Sequence, residues 1–211
     1  MNANRHTRTV AAAYDELGRR FGDWMAQIED EPLDRFLTDL QSRLDGRCRV
    51  LELGCGDGRT TRRLPEQYEV VGVDVSEEQL RLARAAVPTA TFVHADVMEL
   101  DVPAASFDAI TALYSFAHVP RDDHPELLAR IRRWLRPGGL FLATLSTVGG
   151  TDRTKTWLGV EMFFSGWDAE TNRRLVRDAG FDVLGDEVVP MYERGSDYET
   201  AFLWVLARNP A

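Results

Sequence analysis

Lysine is almost missing from this chain. Of its 25 basic residues, 24 are arginine and Lys155 is the one lysine; the bias reads as codon usage rather than chemistry. Cysteine is scarce too. Cys48 and Cys55 have a spacing that fits no metal or redox motif, and two thiols build no disulfide scaffold. No metal site is expected. The first residues carry no apolar signal-peptide core, and no apolar run is long enough to span a bilayer. A cytoplasmic location with no membrane partner is the expectation. Positive charge is in deficit. The net charge of −9 and the lack of a basic patch with interleaved aromatics argue against a nucleic-acid partner. They leave room for a small anionic substrate gripped by local arginines. Repeats, low-complexity tracts and linkers are absent as well.

What is present is an ordinary globular composition. The 211 residues are 44% hydrophobic and 28% charged, which suits one domain with a sizeable core, as monomer or homodimer. "RTVAAAYDELGRRF" has a helical pattern, and the following "GDW" reads as a break. "PLDRFLTDLQSRL" puts Leu33, Phe36, Leu37, Leu40 and Leu44 on one helical face. Pro32 suits its first turn, and Glu29, Asp30 and Glu31 suit its positive end.

From Arg49 onward strand and helix patterns alternate. "RVLEL", "VVGVD", "TFVHAD", "FDAITAL" and "LFLATL" read as strands. Between them "GRTTRRLPEQ" reads as a short helix. "SEEQLRLARAAV" is a helix with Ser76 and Gln79 at capping-box spacing. "HPELLARIRRWL" is a helix stopped by Pro137 and Gly138. The stretch from Ser146 to Trp167 has weak periodicity. "DAETNRRLVRDAG" follows as a helix, with Asp168 as N-cap and Gly180 past its end. "FDVLGDEVV" and "AFLWVLAR" close the chain as two strands joined by a polar loop. The pattern predicts an α/β fold, a Rossmann-like doubly wound sheet of seven strands. The sheet is mostly parallel with an antiparallel last strand, helices cover both faces, and an N-terminal helical lid precedes it. The single domain divides into a lid segment (1–46), a cofactor-binding core (47–145), a substrate-pocket insertion (146–167) and a C-terminal helix with a strand pair (168–211).

"VLELGCGDGRTT", residues 50–61, carries the chemistry. Glycine lets backbone approach a ligand closely. A P-loop needs Lys and then Ser or Thr after its last glycine; here Arg59 and Thr60 follow Gly58. A dinucleotide fingerprint needs a third glycine where Arg59 stands, which disfavours a pyrophosphate. What remains is a glycine turn after the first strand and Asp74 closing the second. Asp74 lies 20 residues after Gly54, the distance at which a carboxylate meets ribose hydroxyls. The ligand is expected to carry ribose without pyrophosphate.

These residues resemble the class I S-adenosylmethionine-dependent methyltransferases. "ELGCGDG" resembles the family's first motif, "VGVDVS" the second, "HADVMEL" the third, "FDAITALYSFAHVP" the fourth and "LRPGGLFLAT" the segment after it. The resemblance covers residues 45–145 well and the final strand pair more loosely. It implies S-adenosylmethionine as cofactor and S-adenosylhomocysteine as product. It implies that Glu52 faces the methionine amino group, with Gly54, Cys55 and Gly56 along the methionyl part. Asp74, followed by Val75, would take the ribose hydroxyls. Asp96 would take the adenine amino group, with Val97 beside the ring. Tyr114 and Ser115 would sit near the sulfonium, and Tyr14 could close over the cofactor.

Each of these residues also has a plainer reading. Glu52 could point to solvent from a strand end, and Asp74 could be a turn residue. Asp96 could cap the short "VMEL" turn. Cys55 suits a small apolar filler, since no basic sequence neighbour would make it a nucleophile. Tyr14 could be core. His118 follows the fourth strand where substrate should enter, and its pKa class suits a general base; the rival is a loop histidine. "TWLGVEMFFSGWD" concentrates aromatics outside the regular alternation. Trp157, Met162 and Phe163 are read as pocket wall, facing Trp24 from the N-terminal segment, with plain core as the rival. Glu161, alone in that run, is either exposed or a buried anchor whose desolvation would raise its pKa. His118 is the first candidate base and Glu161 the second.

The expected reaction is methyl transfer to an oxygen or nitrogen atom of a small molecule, possible secondary metabolites included. The (Asp/Asn)-Pro-Pro-(Tyr/Phe) signature of adenine and amide methylators is absent, replaced by "ALYSFA". Two alternatives stay open: a protein of this fold that binds the cofactor without methyl transfer, as a cyclase or regulator, and a nucleotide-dependent oxidoreductase.

Overall fold

The alternation of buried residues along the strands sets the architecture. In a computed structural model, residues 3–28, 31–150, 152–192 and 199–211 are described. Glu29 and Asp30, expected at a helix start, and most of the polar loop before the last strand lie outside them. Strands β1 (Arg49–Leu53), β2 (Glu69–Asp74), β3 (Thr91–His94), β4 (Phe107–Ala112) and β5 (Leu135–Ser146) pair in parallel. Two further strands, β8 (Asp182–Tyr192) and β9 (Glu199–Arg208), complete a seven-stranded sheet in the order β3-β2-β1-β4-β5-β9-β8. β9 runs antiparallel to both its neighbours, as the missing helix before it implies.

Period-2 alternation sends side chains to two separate cores. From β5, Phe141, Ala143 and Leu145 join a layer with Leu51, Leu53 and the helix α5 (His124–Trp134). Leu140 and Leu142 join Val50, Trp204 and the helix α3 (Glu31–Ser42) on the other face. The apolar stripe of α3 behaves as its sequence predicts: Leu33, Phe36, Leu37 and Leu40 are buried. Because strand order reverses at β1, with β2 on one side and β4 on the other, the carboxyl ends of β1 and β4 open a crevice.

The N-terminal segment forms α1 (Ala3–Leu17) and α2 (Arg19–Met25). The break falls at Gly18, whose φ of 49° suits glycine. "GDW" lies inside α2. "GRTTRRLPEQ" yields a single 3-10 turn at Thr61–Arg63, because Pro65 interrupts it. In α4 (Glu77–Ala86) Ser76 caps as expected, accepting the Gln79 N–H at 3.1 Å. The reciprocal half of the box is not made. The Gln79 amide instead donates to the carbonyls of Tyr14 and Gly18, tying the end of α1 to α4. Asp168 caps α6 (Ala169–Asp178) through the Thr171 N–H.

The weakly periodic stretch is a β-hairpin, β6 (Arg153–Trp157) and β7 (Val160–Phe164). Its two-residue loop, Leu158 and Gly159, has φ of 50° and 86°. Two positive φ angles match a primed turn, whose twist suits a tight hairpin. Val160, Met162 and Phe163 pack against Val10, Ala13 and Leu17 of α1. Lid and hairpin therefore share a third, smaller core.

Candidate active site

Two cavities meet at the carboxyl ends of β1 and β4, and Tyr14, Tyr114 and His118 line both. The first is built on the glycine turn. Gly54, Gly56 and Gly58 all have positive φ, from 53° to 80°. Gly54 is held twice over: a Cβ there would lie 2.5 Å from the Ser115 Cβ. The Gly54 and Cys55 N–H groups donate to the Val73 carbonyl at 2.8 and 3.0 Å. Cys55 is a buried filler with its thiol pushed well up by burial and by the charge of Asp74, which removes it as a nucleophile.

Asp74 closes β2 and organises the turn. Its carboxylate accepts the Gly56 N–H at 2.8 Å and the Ser76 N–H at 2.9 Å. Burial raises its carboxyl above the usual range, and those two N–H groups oppose the rise. Glu52, also buried, accepts the Thr61 hydroxyl at 2.5 Å. Loss of water pushes its carboxyl up to about 8. A solvent-facing Glu52 is excluded. Both carboxyls line the first cavity, where an incoming cation would favour their charged forms. Asp96, beyond β3, does what its plainer reading predicts with one oxygen, accepting the Met98 N–H at 2.9 Å. Its other oxygen accepts the Thr7 hydroxyl of α1 at 2.6 Å. Val75 and Val97 line the same cavity.

After β4 the backbone is strained. Tyr114 has φ of 61°, a sparsely populated region for a bulky residue. Its N–H donates to the Thr144 hydroxyl at 2.5 Å, and Ser115 then starts the short turn that presents His118. His118 Nδ1 lies 2.9 Å from the Phe163 carbonyl, which can only accept. The proton therefore sits on Nδ1, and Nε2 accepts from the Tyr14 hydroxyl at 2.9 Å. Loss of water pulls the imidazole down to about 4, against the Phe163 carbonyl. Burial and the charge of Asp74 raise the Tyr14 phenol.

The second cavity is walled by aromatics from both the lid and the hairpin. Trp24 and Trp157 meet edge to face at 5.1 Å, with Phe21 and Phe164 beside them. Trp24 and Trp157 line it as expected. Three expectations for the hairpin need correction. Glu161 is exposed on the outer face of β7, opposite Thr156, and borders neither cavity. It is neither a buried anchor nor a neighbour of the proposed substrate space. Met162 and Phe163 are fully buried in the core under α1, not in a pocket wall; His6 stacks on Phe163 at 4.1 Å. Strand alternation explains the error, since a run read as one irregular wall is a two-faced hairpin.

Two odd positions of β6, Arg153 and Lys155, were missed. Arg153, Lys155 and Trp157 share one strand face and line the second cavity. The available signal was the lone lysine in an arginine-rich chain. Among the described residues no cluster of ligating side chains suits a metal ion. No helix of the described residues is long and apolar enough to cross a membrane.

The family model for the "Methyltransferase domain" matches residues 50–139. This stretch contains the glycine turn, Asp74, Asp96 and the β4 loop. The chain belongs to the class I S-adenosylmethionine-dependent methyltransferases. Within this methyltransferase family, it is 42% identical over 112 residues to a trans-aconitate 2-methyltransferase of Azoarcus sp., a match covering 51% of this chain and 43% of that protein. It is 32% identical over 185 residues to methyltransferase GfsG of Streptomyces halstedii, covering 78% of this chain and 66% of that protein. The chain thus spans less than half the length of the first relative and about two thirds of the second. Among solved structures, the 1,6-didemethyltoxoflavin-N1-methyltransferase of Burkholderia thailandensis shares the fold, with a TM-score of 0.73 and 24% identity over 99% of this chain and 91% of that one. The cofactor of the family is S-adenosylmethionine. The first cavity fits it: two buried carboxyls, which form no salt bridge among the described residues, stand at its glycine turn, suited to a ligand with an ammonium and a diol.

Proposed function

We propose that this protein transfers a methyl group from S-adenosylmethionine to an oxygen or nitrogen atom of a small molecule. The observation that carries the reading is the junction: an acid-lined cavity at the glycine turn and an aromatic cavity share Tyr14, Tyr114 and His118. Bound S-adenosylmethionine supplies an electrophilic methyl group on a sulfonium sulfur. In this reading Glu52 holds the amino group, Asp74 the ribose hydroxyls and Asp96 the adenine amino group. Asp96 does so by exchanging its bond from Thr7. The Gly54–Gly56 backbone allows close approach. The lid helices and the hairpin exclude water and align the acceptor, which can lower the barrier by several kcal/mol.

For a hydroxyl acceptor, Tyr14 and His118 form the proton path. The acceptor proton passes to the Tyr14 oxygen as the Tyr14 proton passes to His118 Nε2. The Phe163 carbonyl holds the Nδ1 proton and steadies the imidazolium that results. The low pKa of His118 makes it a weak base that is always available, so most of its effect is expected in positioning Tyr14. An amine or a carboxylate acceptor needs no such path.

The test is labelled methyl incorporation from S-adenosylmethionine across small hydroxy, amino and carboxy acceptors, with release of S-adenosylhomocysteine. Cofactor binding without transfer to any of them would favour a non-transferring role. Binding of a nicotinamide dinucleotide in its place would overturn the reading.

A further inference from the structure

The two cavities are sorted by charge. Among the described residues five acids line the first, Glu52, Asp57, Asp74, Asp96 and Asp123, against one arginine, Arg59. That suits a cationic cofactor. Two cations line the second, Arg153 and Lys155, and among the described residues no acid does. Both cations come from one face of β6, two residues apart, and Trp157 continues the same face. The Lys155 ammonium lies 4.9 Å from the centre of the Phe164 ring, so the charge is presented beside an apolar wall, where an anion would be poorly hydrated and strongly held. The cavity volume is about 260 Å³, far above the ~10–15 Å³ that one water needs, and most of its rigid walls are rings.

From this placement we infer that the acceptor is a flat, mainly apolar molecule carrying an anionic group, which Lys155 and Arg153 grip as a handle. The inference deepens the methyl-transfer reading and rests on it for which end reacts. Arg153 and Lys155 line the second cavity only, whereas Tyr14, Tyr114 and His118 line both. The anion is therefore held away from the junction, and the atom that receives the methyl group is at the other end. A quaternary ammonium, the usual guest of an aromatic box, is repelled by the same two side chains.

The test uses the whole chain, first titrated with S-adenosylhomocysteine. Failure of that titration would sink the methyl-transfer reading and leave the cavity question to the unliganded protein. Binding of 1-naphthoate, 1-naphthyl phosphate and neutral 1-naphthamide is then followed by calorimetry and by quenching of Trp24 and Trp157. One of the two anions is expected to bind at least tenfold more tightly than the amide, and which one does so identifies a carboxylate or a phosphate handle. In the double variant Lys155→Gln, Arg153→Gln the preference should shrink to within about threefold, while S-adenosylhomocysteine affinity is kept. Lys155→Glu should turn the preference toward 1-naphthylmethylamine. Equal binding of anion and amide, no binding of either anion, or a preference untouched by the double variant would each overturn the inference.

Discussion

The Tyr14 hydroxyl donates to His118 Nε2 across 2.9 Å, joining the lid to the loop after β4. With the Nδ1 proton held by the Phe163 carbonyl, the bond occupies the one lone pair a base would use. His118→Ala is expected to cost on the order of 10²-fold in turnover on a hydroxyl acceptor. Tyr14→Phe should cost a similar factor, and the double variant little more, because the pair acts as a unit. S-adenosylmethionine affinity of the His118 variant, read by titration, should stay near normal. Additive losses would separate the two residues.

The same histidine sets two pH dependences. With its pKa pulled down to about 4, its protonation leaves turnover flat between pH 6 and 8; a kinetic limb is expected only near 4. Between the ordinary histidine value, about 6.5, and about 4, the unfolded chain binds a proton that the folded chain refuses. The His118 contribution to stability is thus intact above that window and declines as pH falls through it. Denaturant titrations of wild type and His118→Gln at pH 7.5 and 5 should show the variant losing less.

Glu52 works in the opposite sense. Its carboxyl is pushed up to about 8 from an ordinary value near 4.3, so the folded chain holds a proton across that window. Its contribution to stability is fully present at low pH and declines as pH rises toward 8. If an ammonium group binds beside it, the proton is expelled. Cofactor binding at pH 7 should release protons, seen as a dependence of calorimetric enthalpy on buffer ionisation, and Glu52→Gln should abolish that share.

Asp74→Ala should weaken S-adenosylhomocysteine binding by roughly 1–3 kcal/mol, through loss of a charged acceptor for two hydroxyls. The Gly56 and Ser76 N–H groups lose their partner too, so the variant's melting temperature should be measured alongside. Unchanged affinity in a folded variant would remove Asp74 from the ribose site.

The hairpin offers a paired comparison. Phe163→Ala empties the core shared with α1 and should cost about 3–5 kcal/mol of stability. Trp157→Ala changes a half-buried cavity wall. It should lower turnover while leaving cofactor affinity and folding nearly intact. Equal destabilisation by the two would place Trp157 in the core instead.

How much of this was legible depends on the range of the interaction. The Asp168 cap is set by a contact three residues away, and the glycine turn and Asp74 were legible because periodicity marks the strands they end. The hairpin was hidden because its inward residues mix aromatic with cationic ones, which blurs a period of 2; only Gly159 flagged its turn. Glu161 misled because isolation among apolar neighbours in sequence says nothing about which face of a strand a residue takes. The partners of His118 were unreadable: Tyr14 is 104 residues away and Phe163 is 45. Lys155 was visible as a rarity, and its meaning came only from the cavity it lines.

One close approach joins the glycine turn of the first cavity to the loop whose Tyr114 and His118 line both. A Cβ at Gly54 would lie 2.5 Å from the Ser115 Cβ, so the loop after β4 and the glycine turn share one steric boundary. Whatever factor the cofactor imposes on acceptor affinity through that boundary, the acceptor must return to the cofactor. Occupancy of the two cavities is then a joint property, and an affinity measured for one ligand alone describes a state the working protein does not pass through with both bound.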